Sequence, residues 1–227
     1  MGFCACGNGS ATNPALHKCF SVSGYFMIEP WTIEERNEYD NLFKTCQTFV
    51  GQKIERIIFY LDEDDIDFNE QSNEYGKSLL NAIEIEISGH TYCLGNFFFG
   101  KNYNGLNISV GKTTDFENVE DKKPVVYPSE IIGRQITNMV IYWTKSNWGK
   151  YFVPQEIEFR TENSFLICSA IEVNNGEVNC PLTDEILVVE NDLSLKKFQL
   201  GEYGIRTNKR YVFDSFEELV ENEKNIS

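Results

Sequence analysis

Gly51-Gln-Lys-Ile-Glu-Arg-Ile-Ile-Phe-Tyr60 lines up without a gap against Gly133-Arg-Gln-Ile-Thr-Asn-Met-Val-Ile-Tyr142. The glycine, one isoleucine and the tyrosine are identical, and the other apolar positions agree in type. Further along, Glu84-Ile-Glu-Ile87 matches Glu156-Ile-Glu-Phe159. Each is followed by a polar turn and another apolar run, Tyr92-Cys93-Leu94 in the first stretch and Phe165-Leu166-Ile167 in the second. The order strand, connection, alternating strand, turn, strand is therefore written twice. Any meander yields some matches of this kind, so the relation between the halves awaits geometry. The expected fold is mainly β (α+β): two related antiparallel meanders that form a sandwich or a pair of curled sheets around a shared aromatic core.

Outward from these stretches the pattern continues as strands. They are predicted over Ile54–Leu61, Ala82–Ser88, Thr91–Phe99, Leu106–Val110, Gln135–Thr144, Pro154–Thr161, Ser164–Val173, Glu185–Glu190, Ser194–Leu200 and Arg210–Phe213. Ile83-Glu84-Ile85-Glu86-Ile87 alternates most cleanly, and Ser88-Gly89-His90, Asn104-Gly105 and Asn175-Gly176 supply turns. No helix-length connection separates the strands, so the pairing is antiparallel. Helices are predicted at the two ends. Thr32 and Glu35 form a capping box ahead of Ile33, Leu42, Phe43, Cys46 and Phe49, and Asp214 or Ser215 caps a helix carrying Phe216, Leu219 and Val220. This divides the chain into an irregular segment 1–30, a helix with the first meander over 31–130, and the second meander with a closing helix over 131–227, the last two packed as one compact unit.

Charge and cysteine narrow the function. The 227 residues carry 35 acids and 20 bases, a net charge of −15, with 41% hydrophobic and 14% aromatic residues. Such a chain buries roughly 70% of its extended surface, enough for a core without staples. Phosphate affinity comes from Lys and Arg displacing counterions, so nucleic acid and anionic membrane are poor partners. No apolar run reaches spanning length, and MGFCACGNGSATNP lacks the basic and apolar regions of a secretory signal. Of seven cysteines, Cys46, Cys93, Cys168 and Cys180 follow no disulfide framework and read as reduced core residues. A cytoplasmic protein is expected.

The halves differ at one connection. Tyr60 to Glu84 is 24 positions and Tyr142 to Glu156 is 14, so the first copy carries about ten extra residues. The insertion opens Asp62-Glu63-Asp64-Asp65-Ile66-Asp67-Phe68-Asn69-Glu70-Gln71-Ser72-Asn73-Glu74, with seven acids and no base. Either it is a solvated loop or it carries function, since function concentrates on such additions. In the second copy the corresponding stretch, Trp143-Thr-Lys-Ser-Asn-Trp148-Gly-Lys150, is aromatic and mildly basic.

Other constellations are weaker. Cys4, Cys6, His17 and Cys19 form C-x-C-x10-H-x-C, a tetrahedral set for zinc and the one candidate cofactor site. Asp65-x-Asp67-x-Asn69 begins like a calcium loop, but Glu70 stands where glycine is required and Gly76 where the bidentate glutamate belongs. Gly95 to Lys101 and Gly105 to Thr113 imitate phosphate loops without opening a helix. Met1-Gly2 has Cys6 where a myristoylation signal wants Ser or Thr. With His17 and His90 the only histidines, triad chemistry has little material. The expected function is non-enzymatic binding of a basic protein, possible in the form of an immunity-type inhibitor that occludes the basic cleft of a toxin or nuclease. Asp62, Glu63, Asp64, Asp65, Asp67 and Glu70 would supply the charge, with Trp143 and Trp148 as apolar anchors. The alternative is a carbohydrate or small-molecule binder, or a hydrolase, using sheet aromatics and a carboxylate pair.

Overall fold

The computed structural model describes residues 33–61, 77–80, 82–99, 103–115, 122–145, 151–174, 177–207 and 210–225. The chain divides into the units Met1–Pro30 and Trp31–Ser227, and every described residue belongs to the second.

Helix α1 (Ile33–Phe49) leads into β1 (Ile54–Leu61), β2 (Lys77–Leu80), β3 (Ala82–Ile87), β4 (His90–Phe99), β5 (Tyr103–Val110) and β6 (Lys123–Val126). Then come β7 (Asn138–Lys145), β8 (Phe152–Arg160), β9 (Phe165–Asn174) and β10 (Glu177–Val189), followed by α2 (Asp192–Phe198), α3 (Glu202–Arg206) and α4 (Phe216–Lys224). Two five-stranded sheets result, ordered β5-β4-β3-β1-β6 and β2-β10-β9-β8-β7. All pairings within them are antiparallel. Four strands of each sheet form a meander: β1, β3, β4 and β5 in the first, β7, β8, β9 and β10 in the second. The fifth strand of each is added from outside its own meander. β6 comes from the link between the halves, and β2 comes from the first meander's insertion yet pairs with β10 in the second sheet, Lys77 opposite Val188 and Leu80 opposite Glu185.

The halves are related by a local two-fold. Lys53 and Gln135 form an antiparallel bridge. Around it the Gly51 amide donates to the Ile136 carbonyl at 2.8 Å, and the Gly133 amide donates to the Ile54 carbonyl at 2.7 Å. Moving 82 positions along the sequence turns the first bond into the second and Lys53 into Gln135. An antiparallel bridge is locally two-fold by nature, and this one is centred on a matched pair of the repeat. Gly51 and Gly133 also share a left-handed backbone, with φ of +89° and +78°.

Strand register corrects one correspondence. Ile58 pairs with Glu84 and Val140 with Glu158, so Glu84 matches Glu158 rather than Glu156. A slip of two residues keeps every side chain on its face, so an alternating Glu-x-Glu pattern has no power to fix it. Tyr60 to Glu84 stays at 24 positions and Tyr142 to Glu158 is 16, so the first copy carries eight extra residues. A shared contact supports the new match: the Tyr60 hydroxyl bonds to Glu84 at 3.2 Å and the Tyr142 hydroxyl to Glu158 at 2.5 Å.

One core fills the space between the sheets. Ile57, Phe59, Ile83, Ile85, Leu94 and Ile108 meet Ile141, Trp143, Ile157, Phe159, Leu166 and Val188 there. The stripe Tyr39, Leu42, Phe43, Cys46 and Phe49 brings α1 into it, with Phe49 against both Tyr92 of the first sheet and Phe159 of the second. The outer face of the second sheet is also buried, because Leu195, Phe198 and Leu200 cover Ile167, Ile171, Leu187 and Val189.

Four local expectations fail, the first being the Asn104-Gly105 turn, which lies within β5 opposite Phe98 and Phe97. Ser194–Leu200 is not a strand: Leu195 and Phe198 are three apart and form the buried face of α2, whose Asn191 side chain accepts from the Ser194 amide at 2.9 Å. Arg210–Phe213 is reduced to a single bridge, Tyr211 against Trp143. Finally, β10 begins eight residues earlier than the predicted Glu185.

Candidate functional site

The acidic segment with Asp62, Glu63, Asp64, Asp65, Asp67 and Glu70 lies outside the described residues, as do Trp148 and the Cys4, Cys6, His17, Cys19 set. Its two roots are described. It leaves the first sheet after Leu61, the end of β1, and returns at Lys77 as the start of β2 in the second sheet. The insertion thus connects the two sheets instead of closing a hairpin within one.

Trp143 is a correction. It is fully buried, edge-on to Tyr39 at 5.0 Å and stacked on Phe43 at 5.5 Å. On β7 its side chain shares the core face with Ile141, so it is unavailable as a surface anchor or as the wall of an open cleft. The alternation Ile141-Tyr142-Trp143 carried that signal, since an aromatic in phase with a core isoleucine points inward.

Among the described residues, the densest array of ionisable groups is one that the motifs did not indicate. On the outer face of β8, Glu156 and Glu158 are both buried. Glu158 receives the Arg160 guanidinium at 2.7 and 2.9 Å and the Tyr142 hydroxyl at 2.5 Å. Arg160 continues to Glu202 of α3 at 3.1 Å. Glu156 accepts from the Gly201 amide at 2.6 Å and from Arg210 Nε at 2.5 Å. Burial pushes the Glu156 carboxyl upward, opposed by Arg210 and by the Gly201 amide. Burial, reinforced by the Glu158 charge, raises Tyr142 far above the ordinary phenol range. This is the nearest approach to a hydrolase's carboxylate pair, and each carboxylate is occupied by an arginine. Chemically the array is a clamp. It fastens the α2–α3 connection and Arg210 to the second sheet through charge-assisted bonds.

On the first sheet the Glu84 carboxylate takes the Thr113 amide at 3.0 Å, and Arg56 pairs with Glu86 at 2.5 Å. Glu190 holds Tyr127 at 2.8 Å together with the Ser129 hydroxyl. All six arginines of the sequence lie among the described residues. Arg36, Arg56, Arg160, Arg206 and Arg210 face carboxylates, and Arg134 donates to the Glu130 carbonyl. Cys46, Cys93 and Cys168 are buried; burial pushes Cys46 up to about 12 and Cys168 higher, which leaves those two inert as nucleophiles. His90 is exposed at the start of β4, and Gly95 lies within the same strand, far from a phosphate-binding helix start. Among the described residues no group of three or more His, Cys, Asp or Glu is placed to hold a metal, and no helix is long and apolar enough to cross a membrane. No protein-family model, curated protein or solved structure matches the chain.

Proposed function

We propose that this protein is a non-enzymatic binder of a basic protein partner, working in the cytoplasm as an immunity-type inhibitor that occludes the cationic cleft of a toxin or nuclease. One observation carries the proposal: the segment with seven acids and no base is rooted at both ends in sheet strands, β1 of one sheet and β2 of the other. A merely tolerated insertion needs no strand of its own in the second sheet. Clustered carboxylates steer a cationic partner and imitate a phosphate chain. The overall balance reinforces this, because 35 acids against 20 bases leave the chain at a net charge of −15. The buried thiols of Cys46 and Cys168 suit a reducing compartment.

The test pairs partner capture from the native host with kinetics. Asp62, Glu63, Asp64, Asp65, Asp67 and Glu70 are replaced by their amides. Recovery of the partner should fall, and its association rate with the unmodified protein should drop by roughly tenfold or more between low and high ionic strength. A rate indifferent to salt, or equal recovery by the amide variant, would overturn the proposal.

A further inference from the structure

Within a chain of net charge −15, residues 196–210 run the other way. They hold five bases, Lys196, Lys197, Arg206, Lys209 and Arg210, and one acid, Glu202, where the chain average is about 1.3 bases per fifteen residues. Arg210 is spent on Glu156. Lys196, Lys197 and Arg206 are exposed. Leu193, Lys196 and Lys197 share the outward face of α2 at i, i+3 and i+4 spacing. Across the α2–α3 turn, Tyr203 lies between two of the cations, with Lys196 Nζ 5.7 Å and Arg206 Cζ 5.0 Å from its ring centre. Leu193 is 61% exposed and Ile205 39%.

We infer that this face of α2 and α3 docks an acidic, apolar-anchored peptide segment of a partner protein. The cations meet the carboxylates, while Leu193 and Tyr203 receive an apolar side chain. Helices that only covered the second sheet would need their inward residues Leu195 and Phe198 and no outward leucine. The face is also built stiff, so a ligand has little ordering to impose. The Asn191 cap, the left-handed Gln199 (φ +54°) and the Glu156 bond to the Gly201 amide fix both helices. Gly204 admits Arg210 so closely that a Cβ there would lie 2.4 Å from Arg210 Cγ. A nucleic acid is the poorer fit, because it would carry its repulsion from this anionic chain along its whole length. A short peptide meets only the local field, since screening cuts the rest off within roughly 8–10 Å.

The experiment uses the full chain and fluorescence anisotropy. The probe is a labelled peptide of about twelve residues, Asp and Glu around a central Phe-Leu pair. Saturable binding is expected, together with a loss of roughly tenfold or more in affinity for the double substitution Lys196→Glu and Arg206→Glu, and a comparable loss for Leu193→Ser with Lys196→Gln. The same peptide with Ser in place of Phe-Leu should bind far more weakly. Far-UV circular dichroism confirms that the exposed substitutions leave the fold intact. Three results would each overturn the inference: no saturation at roughly 50 mM salt, equal affinity in both variants, or tighter binding of an oligothymidylate of matched charge. Neutralising the 62–70 carboxylates should leave the interaction in place, so its outcome is separate from that of the basic-partner proposal.

Discussion

Single buried residues show where this sequence departs from its own pattern. Tyr142 is opposite Glu156 and Trp143 opposite Pro154, which leaves Gln155 as the extra residue of a bulge. Its side chain is fully buried and neither amide atom has a partner. Orphaned polar atoms cost about 1–3 kcal/mol, so Gln155→Met, similar in shape, should raise unfolding stability by about 1 kcal/mol in urea denaturation. Glu223 makes a pH prediction. It is buried on α4, bonded to the Phe152 amide at 3.2 Å and 3.5 Å from Arg36. Burial raises its carboxyl above the ordinary value, with the Phe152 amide and Arg36 opposing. The folded state then keeps a proton that the unfolded chain releases. Its contribution is complete below the ordinary glutamate pKa of about 4.3 and fades as pH climbs through the raised value. Glu223→Gln should therefore flatten the fall in stability from about pH 4 to about pH 7, with urea midpoints across that range as the check. Neither feature was legible in sequence. Gln155 sits in a strand whose alternation hides a bulge, and Glu223 looks like one more solvated acid on an amphipathic helix.

At the scale of elements, legibility follows the strength of the local pattern. The predicted Ile54–Leu61 strand and the predicted N-terminal helix agree with β1 and α1 because the apolar pattern is local physics, while the Thr32 cap lies outside the described residues. The α2–α3 pair was lost because Ser194 to Leu200 admits both periods over so few residues, and the Asn191 cap was the signal that separates them. β2 was illegible for a different reason: its partner β10 lies about a hundred residues away, and only tertiary pairing makes it a strand. The acidic segment beside it is conspicuous, whereas Trp143 reads as part of the following connection unless its alternation with Ile141 is weighed. The clamp under α2 and α3 has its own test. Glu156→Ala leaves the Arg210 guanidinium buried without its carboxylate, a loss of about 3–5 kcal/mol. Amide exchange should accelerate first through residues 192–206, ahead of β8 and β9. Uniform acceleration across the second sheet would mean that the pair supports the sheet rather than the helices.

For the whole molecule, the two-fold makes a matched prediction. Gly51 and Gly133 occupy equivalent left-handed positions, and an added Cβ would meet only Gln135 Nε2 at 3.8 Å in the first case and nothing within 4 Å in the second. Sterics being absent, each alanine substitution should cost the backbone term alone, about 1–2 kcal/mol, and the two values should agree. Costs that differ by more than about 1 kcal/mol would break the equivalence of the halves. The repeated Gly-to-Tyr stretch made this symmetry visible before any geometry, but the crossing of β2 into the other sheet was beyond its reach. That crossing has a consequence during translation. Every strand of the first sheet has been synthesised once Val126 is made, yet β2 and the inner face of that sheet wait for β10, which ends at Val189. At about 5–20 residues per second the ribosome needs roughly 3–13 s for the intervening stretch. Throughout that interval isoleucine and phenylalanine of the first sheet lack part of their cover, so ribosome-bound chains ending between Val126 and Val189 should be cut by protease faster than the finished chain.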